Sequence, residues 1–533
     1  MLPFMTKIKF LFILCLILVI TFFAFTPVLR SNFTNWDDED YVTNNSVIRS
    51  PLLISLKKVF GSFYLRSYQP LTILSYKIEY GFFKLNPVGY HTTNLILHLL
   101  NCLLVFWLIF KLSRNIFVSF LTAILFGIHP LQVESVAWIS ERKGLLCTFF
   151  LLGSIISYVS YVQKNRAFKY YIFSLSLFVL ALLSKGIAII LPVILLLVDY
   201  FVFLRRKRVI FRDKIPFFIL SLLFIVINLY ALYSEVDAES VGSFSILDKI
   251  RISSYCVMFY FNKIFIHANL SCVYTYAGGK EAPSISGFLF SLLPILALFA
   301  TMIISLRYTK FFLAIVLFLV SIFPALQLVP VGRAIVADRY IYFPSIWIFY
   351  LLSEFIVWVL GQIRRYKRSY GILKAALIIS LFLTLVSLVF ITQNRARVWK
   401  DSFTLWNEAL RVSPSAIANN HLGHAYQKKG DLNTAIAYYT AALHLDPNYF
   451  SAYNNRGTAY ASEGELEKAL IDFNRAIEIR PFNFKAYKNR ARLYYLIREY
   501  NKSWEDVYAV ERLGQKMEGQ FMESLKSASG REN

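Results

Sequence analysis

Long apolar runs separated by short polar stretches fill the chain up to about residue 396, and the pattern then changes to the periodicity of amphipathic helices. A membrane span needs about 20 apolar residues. Runs near 8–29, 91–110, 116–129, 145–162, 170–184, 187–204, 215–233, 285–306, 311–329, 340–361 and 372–393 predict about 11 spanning helices. The first run follows Lys7 and Lys9 and has no convincing small-residue cleavage site, so it reads as an uncleaved helix rather than a signal peptide. The segment 250–268 is apolar and aromatic, but counting it as a span would reverse the side on which the later basic loops fall. It reads as an outer-surface or re-entrant helix.

The charges orient this threading. With the N-terminus inside, the inner loops carry Lys111 and Arg114, then Lys164, Arg166 and Lys169. Arg205, Arg206, Lys207, Arg208, Arg212 and Lys214 follow, then Arg307 and Lys310, then Arg364, Arg365, Lys367 and Arg368. Basic residues concentrated in the loops of one side mark the cytoplasmic face. The opposite side receives the long first loop, 30–90, with Trp36 to Tyr41, and also His129 to Glu134, Glu141 to Lys143, Lys185, the acidic stretch Glu235, Asp237 and Glu239, and Arg333 to Tyr340. The positive-inside rule does not account for Arg142, Lys143, Lys185 or Arg339 there, and ionisable groups at membrane depth are costly enough to suggest function.

Composition agrees with this division. Of 533 residues, 57% are hydrophobic and 17% charged, against about 25% charged in soluble domains. The net charge of +24 is spread over membrane loops, which argues against nucleic-acid binding. Cys15, Cys102, Cys147, Cys256 and Cys272 lack metal-ligand spacing; Cys256 and Cys272 could pair only if their region lies outside the cytoplasm, and unpaired thiols are the expectation.

From about Ala416 the chain repeats every 34 residues: Gly423 and Gly457, Tyr426 and Tyr460, Ala435 and Ala469, Ala442 and Ala476, Pro447 and Pro481. Small residues let two helices of a hairpin approach, while Tyr439 and Phe473 fill the remaining space. A degenerate third unit holds Ala491, Tyr494, Ser503 and Val507, and Trp406, Ala409 and Pro414 read as a leading half unit. The period and residue pattern resemble the tetratricopeptide repeat. Such arrays present concave faces to peptides or proteins, with Asn420, Asn454, Asn455, Arg456 and Arg490 as candidate contacts. The expected fold is all-α: a polytopic membrane domain, 1–396, then a repeat solenoid, 397–515, and a polar tail, 516–533.

A carboxylate facing several cations near a membrane surface suits sugar transfer from a lipid phosphate. The carboxylate accepts the acceptor hydroxyl proton, and the cations hold the phosphate as the glycosidic bond breaks. Asn35-Trp36-Asp37-Asp38, Gln69-Pro70-Leu71-Thr72 and Gly89-Tyr90-His91 with Asn94 and His98 stand in this order. His129-Pro130 with Glu134, Ser140-Glu141-Arg142-Lys143, Leu183-Ser184-Lys185 and Ala337-Asp338-Arg339-Tyr340 follow. With the repeat tail, they resemble the integral-membrane C-type glycosyltransferases related to protein O-mannosyltransferases. The resemblance implies an inverting transferase that moves a mannose-like hexose from a polyprenyl-phosphate-linked donor to a hydroxyl, first of all on protein Ser or Thr. It implies a multi-pass protein of a bacterial inner membrane, with the N-terminus cytoplasmic and the repeats outside.

The same resemblance implies Asp37 or Asp38 as the base and Glu134 as a second acidic group. It makes Arg142, Lys143, Lys185 and Arg339 the donor-phosphate candidates, with no cofactor assigned beside the polyprenyl-phosphate-sugar donor and a divalent cation possible. Gly144 departs from the acidic residue common after the Arg-Lys pair. Plainer roles compete: a solvated loop or helix cap for Asp37 and Asp38, a cap for Glu134, snorkelling for Arg142 and Lys143, and interhelical hydrogen bonds for His91 and His98. A catalytically inactive repeat scaffold and a lipid transporter or flippase are the competing functions. The latter is disfavoured by the absence of half-to-half similarity.

Overall fold

The computed structural model describes residues 4–203, 211–234, 245–275, 308–328, 334–366 and 369–531, with a few positions between 296 and 303. Every expected span is helical except 285–306, which lies almost wholly outside the described residues. Arg205 to Arg208, Glu235, Asp237, Glu239, Arg307, Arg333, Lys367 and Arg368 also lie outside them. By length and apolarity six described helices qualify as spans, or seven if the bent pair Ile116–Ile128 and Pro130–Ala137 counts as one. Phe168–Ser184, Gly186–Tyr200 and Thr309–Ala325 are shorter apolar helices. This is a multi-pass membrane protein. Contacts divide the chain into two compact units, Met1–Asp401 and Ser402–Asn533.

Local sequence sets the helix ends in the membrane unit. Asn86 accepts a hydrogen bond from the Val88 N–H with Pro87 in the first turn, and Asn115 accepts from Phe117 and Val118. Arg114 between them takes a left-handed conformation, φ 56°, closing Pro87–Ser113 and turning the chain into Ile116–Ile128. Helices in a bilayer gain little from apolar burial against one another, so buried hydroxyls and ion pairs tie them. Thr122 donates to Ser353 Oγ (3.0 Å), Trp347 to Ser321 Oγ (3.0 Å) and Lys310 to Glu354 (2.8 Å). His98 bonds Tyr342 OH (2.7 Å) and the Gly127 carbonyl (3.0 Å), the interhelical role expected of it.

The segment expected at 250–268 is the helix Ile246–Phe265, which buries Ile252, Cys256, Val257, Phe259, Tyr260 and Ile264. It packs on a short antiparallel ladder, Tyr274–Thr275 against Ala334–Val336, which with the isolated bridge Tyr64 to Ser67 is the only strand pairing among the described residues. The ladder sets Asp338 beside Tyr274. Cys256 and Cys272 are buried and unpaired.

The second unit is a stack of helix hairpins: Ala416–Lys429 with Leu432–Leu445, Phe450–Glu463 with Leu466–Ile479, and Phe484–Leu496 with Tyr500–Arg512. A Cβ on Gly423 would stand 2.8 Å from Tyr439, and one on Gly457 2.9 Å from Phe473, so the close approach needs glycine. Asn455 donates to Asn420 (3.0 Å) and Asn489 to Asn454 (2.9 Å), linking successive hairpins. Arg456 grips Asp472 with two nitrogens, and Arg490 repeats this on Asp506. The stretch 516–533 is more than a polar tail: the helix Gly519–Ser529 buries Leu525, with Phe521 and Met522, against Trp504 and Val507.

Candidate functional site

The first loop is built to hold acidic residues against the ends of several membrane helices. A widened helical turn at Glu39–Thr43 buries Tyr41 and Val42, and π-type turns of this kind recur at functional sites. The sequence motifs act as ties around it. Gln69 bonds the Tyr41 hydroxyl, Thr72 donates to the Ser184 carbonyl (3.1 Å), and Tyr76 donates to the Ile139 carbonyl (2.7 Å). Asn94 donates to the carbonyls of Val136 (3.2 Å) and Trp138 (3.1 Å).

These ties give the two neighbouring aspartates different environments. Asp38 is 1% exposed, and its carboxylate accepts four hydrogen bonds. One oxygen takes the Thr34 N–H (2.9 Å) and hydroxyl (3.0 Å), and the other takes the Ser140 N–H (3.0 Å) and hydroxyl (2.5 Å). Burial lifts it to about 6 against these bonds, so it is ionised at neutral pH, when all four donors are satisfied. No acceptor position is left for a substrate proton. Asp38 is a pin between residues 34 and 140. Asp37 is half-buried, and no side-chain hydrogen bond among the described residues engages it. Burial raises its pKa above the ordinary 3.8, while Lys143 and Arg339 oppose the rise. Asp38→Asn should strand one of the two backbone N–H groups, because an amide accepts at one oxygen only. The expected loss is about 1–3 kcal/mol of stability, read as a lowered thermal midpoint in detergent.

The four cations are held differently. Arg142 is fully buried, bonded through Nε to Asn94 (2.8 Å), through Nη1 to Glu79 and through Nη2 to the Tyr90 carbonyl (2.8 Å). Its plane lies over Tyr76, 4.8 Å from the ring centroid. With no open face it belongs to the scaffold, which corrects its assignment as a phosphate ligand: Glu79, too far away in sequence to be anticipated, neutralises it. Lys185 is paired with Glu141. A Cβ on Gly144 would sit 2.5 Å from Glu141 Oε1, so the departure at 144 is what makes room for this pair. Lys143 makes no ion pair among the described residues, and sits over Tyr41 (4.8 Å) and Trp138 (5.6 Å).

Glu134, almost fully buried, takes the Arg339 guanidinium on one oxygen (2.5 Å) and the Arg339 N–H on the other (3.0 Å). It orients Arg339 rather than capping a helix. Arg339 lies over Trp138 at 5.1 Å, and Trp138 stands between Trp36 (6.0 Å) and Trp399 (6.1 Å). Asp338 accepts from the Tyr274 hydroxyl (3.0 Å), and burial beside Glu134 lifts it to about 7. The site therefore gathers Asp37, Lys143, Arg339 and Glu134, with Lys185 at its edge. Glu141 and Asp338, members of the quoted motifs without an assigned role, join it, as does Trp138, which stands just before Ser140 and outside any motif. Among the described residues no three His, Cys, Asp or Glu side chains converge as metal ligands. Tyr274 borders the site through its hydrogen bond to Asp338.

Residues 82–233 match the family described as dolichyl-phosphate-mannose-protein mannosyltransferase, and residues 405–484 match the tetratricopeptide repeat. Residues 82–233 of the membrane unit are thus similar to protein O-mannosyltransferases, and the tail is a tetratricopeptide-repeat domain. A protein O-mannosyl-transferase of Caenorhabditis elegans is 25% identical over 82% of this chain and 63% of its own length. Protein O-mannosyl-transferase TMTC3 of Mus musculus is 24% identical over 73% of this chain and 45% of its own. The chain thus spans about half to two thirds of these longer relatives. They are eukaryotic and do not bear on the bacterial membrane expected from the sequence. The Archaeoglobus fulgidus oligosaccharyltransferase, solved with an inhibitory peptide and a dolichol-phosphate, is 12% identical with a TM-score of 0.44. It covers 75% of this chain and 56% of that one, a likeness too slight to support inference about the O-mannosyltransferase-like site.

Proposed function

We propose that the protein transfers a mannose-like hexose from a polyprenyl-phosphate-linked donor to a hydroxyl, on protein Ser or Thr, at the outer face of the membrane. The observation that carries the reading is the contrast at the first loop: Asp38 is saturated, while Asp37 keeps both oxygens open and faces Lys143 and Arg339. Asp37 takes the proton as the acceptor oxygen attacks the sugar carbon. Lys143 and Arg339 steady the phosphate oxygen that departs, in a partly dry site where such charges act strongly. Glu134 fixes the position of Arg339, and Asp38 fixes the loop. The outer-face placement rests on the basic loops of the opposite side.

The test is transfer of radiolabelled hexose from a panel of polyprenyl-phosphate hexoses to membrane protein extract by the purified chain. Label in Ser or Thr of protein supports the reading. A folded chain that labels nothing from any donor would favour the scaffold. The repeats are read as the docking surface for acceptor protein. Removing 402–533 is therefore expected to raise the apparent KM for protein acceptors about tenfold or more, with short peptides nearly unaffected. Equal loss on both acceptors would make the tail structural.

A further inference from the structure

The helix Tyr370–Val398 carries a charge that the site described so far does not use. Arg395 is 7% exposed, and its Nη2 has no hydrogen-bond partner. No ion pair or other hydrogen bond among the described residues engages its guanidinium. Asp338 and Tyr274 feel its charge from a distance, without contact. The other arginines of this region are all bonded, Arg142 to Glu79 and Arg339 to Glu134. A buried guanidinium with no partner is costly, and its planar fork suits the oxygens of a phosphate.

The same helix supplies an apolar path to it. A groove of about 630 Å³ is lined by Ile379, Leu383, Ser387, Leu388 and Ile391, with His267 across from them. Ile391, the last residue lining the groove, and Arg395 are four residues apart, so they share one face of the helix, with the arginine one turn beyond the groove towards Trp399. Trp399, one turn further on, stacks on Trp138, and Arg339 lies over Trp138. An apolar run leading to a buried guanidinium that no described residue bonds fits a lipid with one long chain and a phosphate head.

We propose that Arg395 binds the phosphate of the polyprenyl-phosphate substrate, whose chain lies along the 379–391 face of the same helix. This rests on the donor class named above. Nearby Lys263 is occupied by the carbonyls of Ala268 (2.6 Å) and Asn269 (3.0 Å), so the anion falls to Arg395.

Binding, rather than transfer, tests it. The full chain in nanodiscs is titrated with a long polyprenyl phosphate, the matching polyprenol and phosphatidylglycerol. Arg395→Gln should weaken the polyprenyl phosphate about tenfold or more and leave the alcohol unchanged, while Arg395→Lys should recover part of the loss. Ser387→Trp, on the exposed face, should lower affinity for the long chain and spare a short farnesyl phosphate. Equal affinity in the parent and Arg395→Gln overturns the proposal while leaving the transferase reading intact. So does phosphatidylglycerol binding with the same Arg395 dependence, which would make the site a general anionic-lipid site. If Arg395→Gln does not fold, the Lys and Trp variants decide, and unchanged binding in both overturns the proposal. A parent protein that binds no polyprenyl phosphate overturns the donor class as well.

Discussion

Asp37→Asn is expected to lower turnover about 10²–10⁴-fold, the usual contribution of a general base, in a protein that inserts and folds like its parent. The amide keeps the shape of the carboxylate and gives up no side-chain hydrogen bond among the described residues, so the thermal midpoint should not fall. Initial rates at saturating donor and acceptor, with a melting curve on the same preparation, check both halves. Burial holds the Asp37 pKa above 3.8, and the base must be deprotonated to act. The acid limb of kcat/KM should therefore fall off at a higher pH than an ordinary aspartate would give, and it should vanish from the residual activity of the variant. Parental turnover after Asp37→Asn would remove the assignment. So would an Asp38→Asn protein that loses turnover with its melting point intact, for that would make the pin the base.

The largest effect on stability is expected from Arg142→Ala. Glu79 would be left as a buried carboxylate with no cation, and breaking a buried pair on one side costs about 3–5 kcal/mol. Asn94 and the Tyr90 carbonyl would lose their donors as well, and Tyr76 its stacked plane. Arg142→Lys should rescue little, because one ammonium cannot reach all three acceptors. The double change Glu79→Gln with Arg142→Met should sit closer to the parent than Arg142→Ala alone. Thermal midpoints in one detergent would show the order. A phosphate ligand would instead shift donor KM with little change in the midpoint, and that result would restore Arg142 to the donor site.

Much of the architecture was legible because the bilayer and the repeat each impose a period. Twenty apolar residues and a 34-residue recurrence survive any uncertainty about local ends. Arg142, Lys143, Lys185 and Arg339 were legible because they stand near membrane depth on the side where topology does not call for positive charge, and Asp37, Asp38 and Glu134 through the resemblance carried by their motifs. Their roles were not legible, because a role depends on which oxygen faces which donor across large sequence gaps. Asp38 and Ser140 are 102 residues apart, Glu79 and Arg142 are 63 apart, and Glu134 and Arg339 are 205 apart. Arg395 looked like one basic residue among several following the last span. Its significance comes from burial without a partner, which no local pattern records.

The ties in the tail recur in step. Asn420 with Asn455 is followed 34 residues later by Asn454 with Asn489, and Arg456 with Asp472 by Arg490 with Asp506. A 34-residue cassette can therefore be duplicated or excised in frame, and every surviving junction would meet the same chemistry it meets now. Melting cooperativity should change with cassette number, as it does for a chain of coupled links. The number of repeat modules becomes a quantity that recombination can adjust by whole steps, while the first loop of the membrane unit retains its sequence.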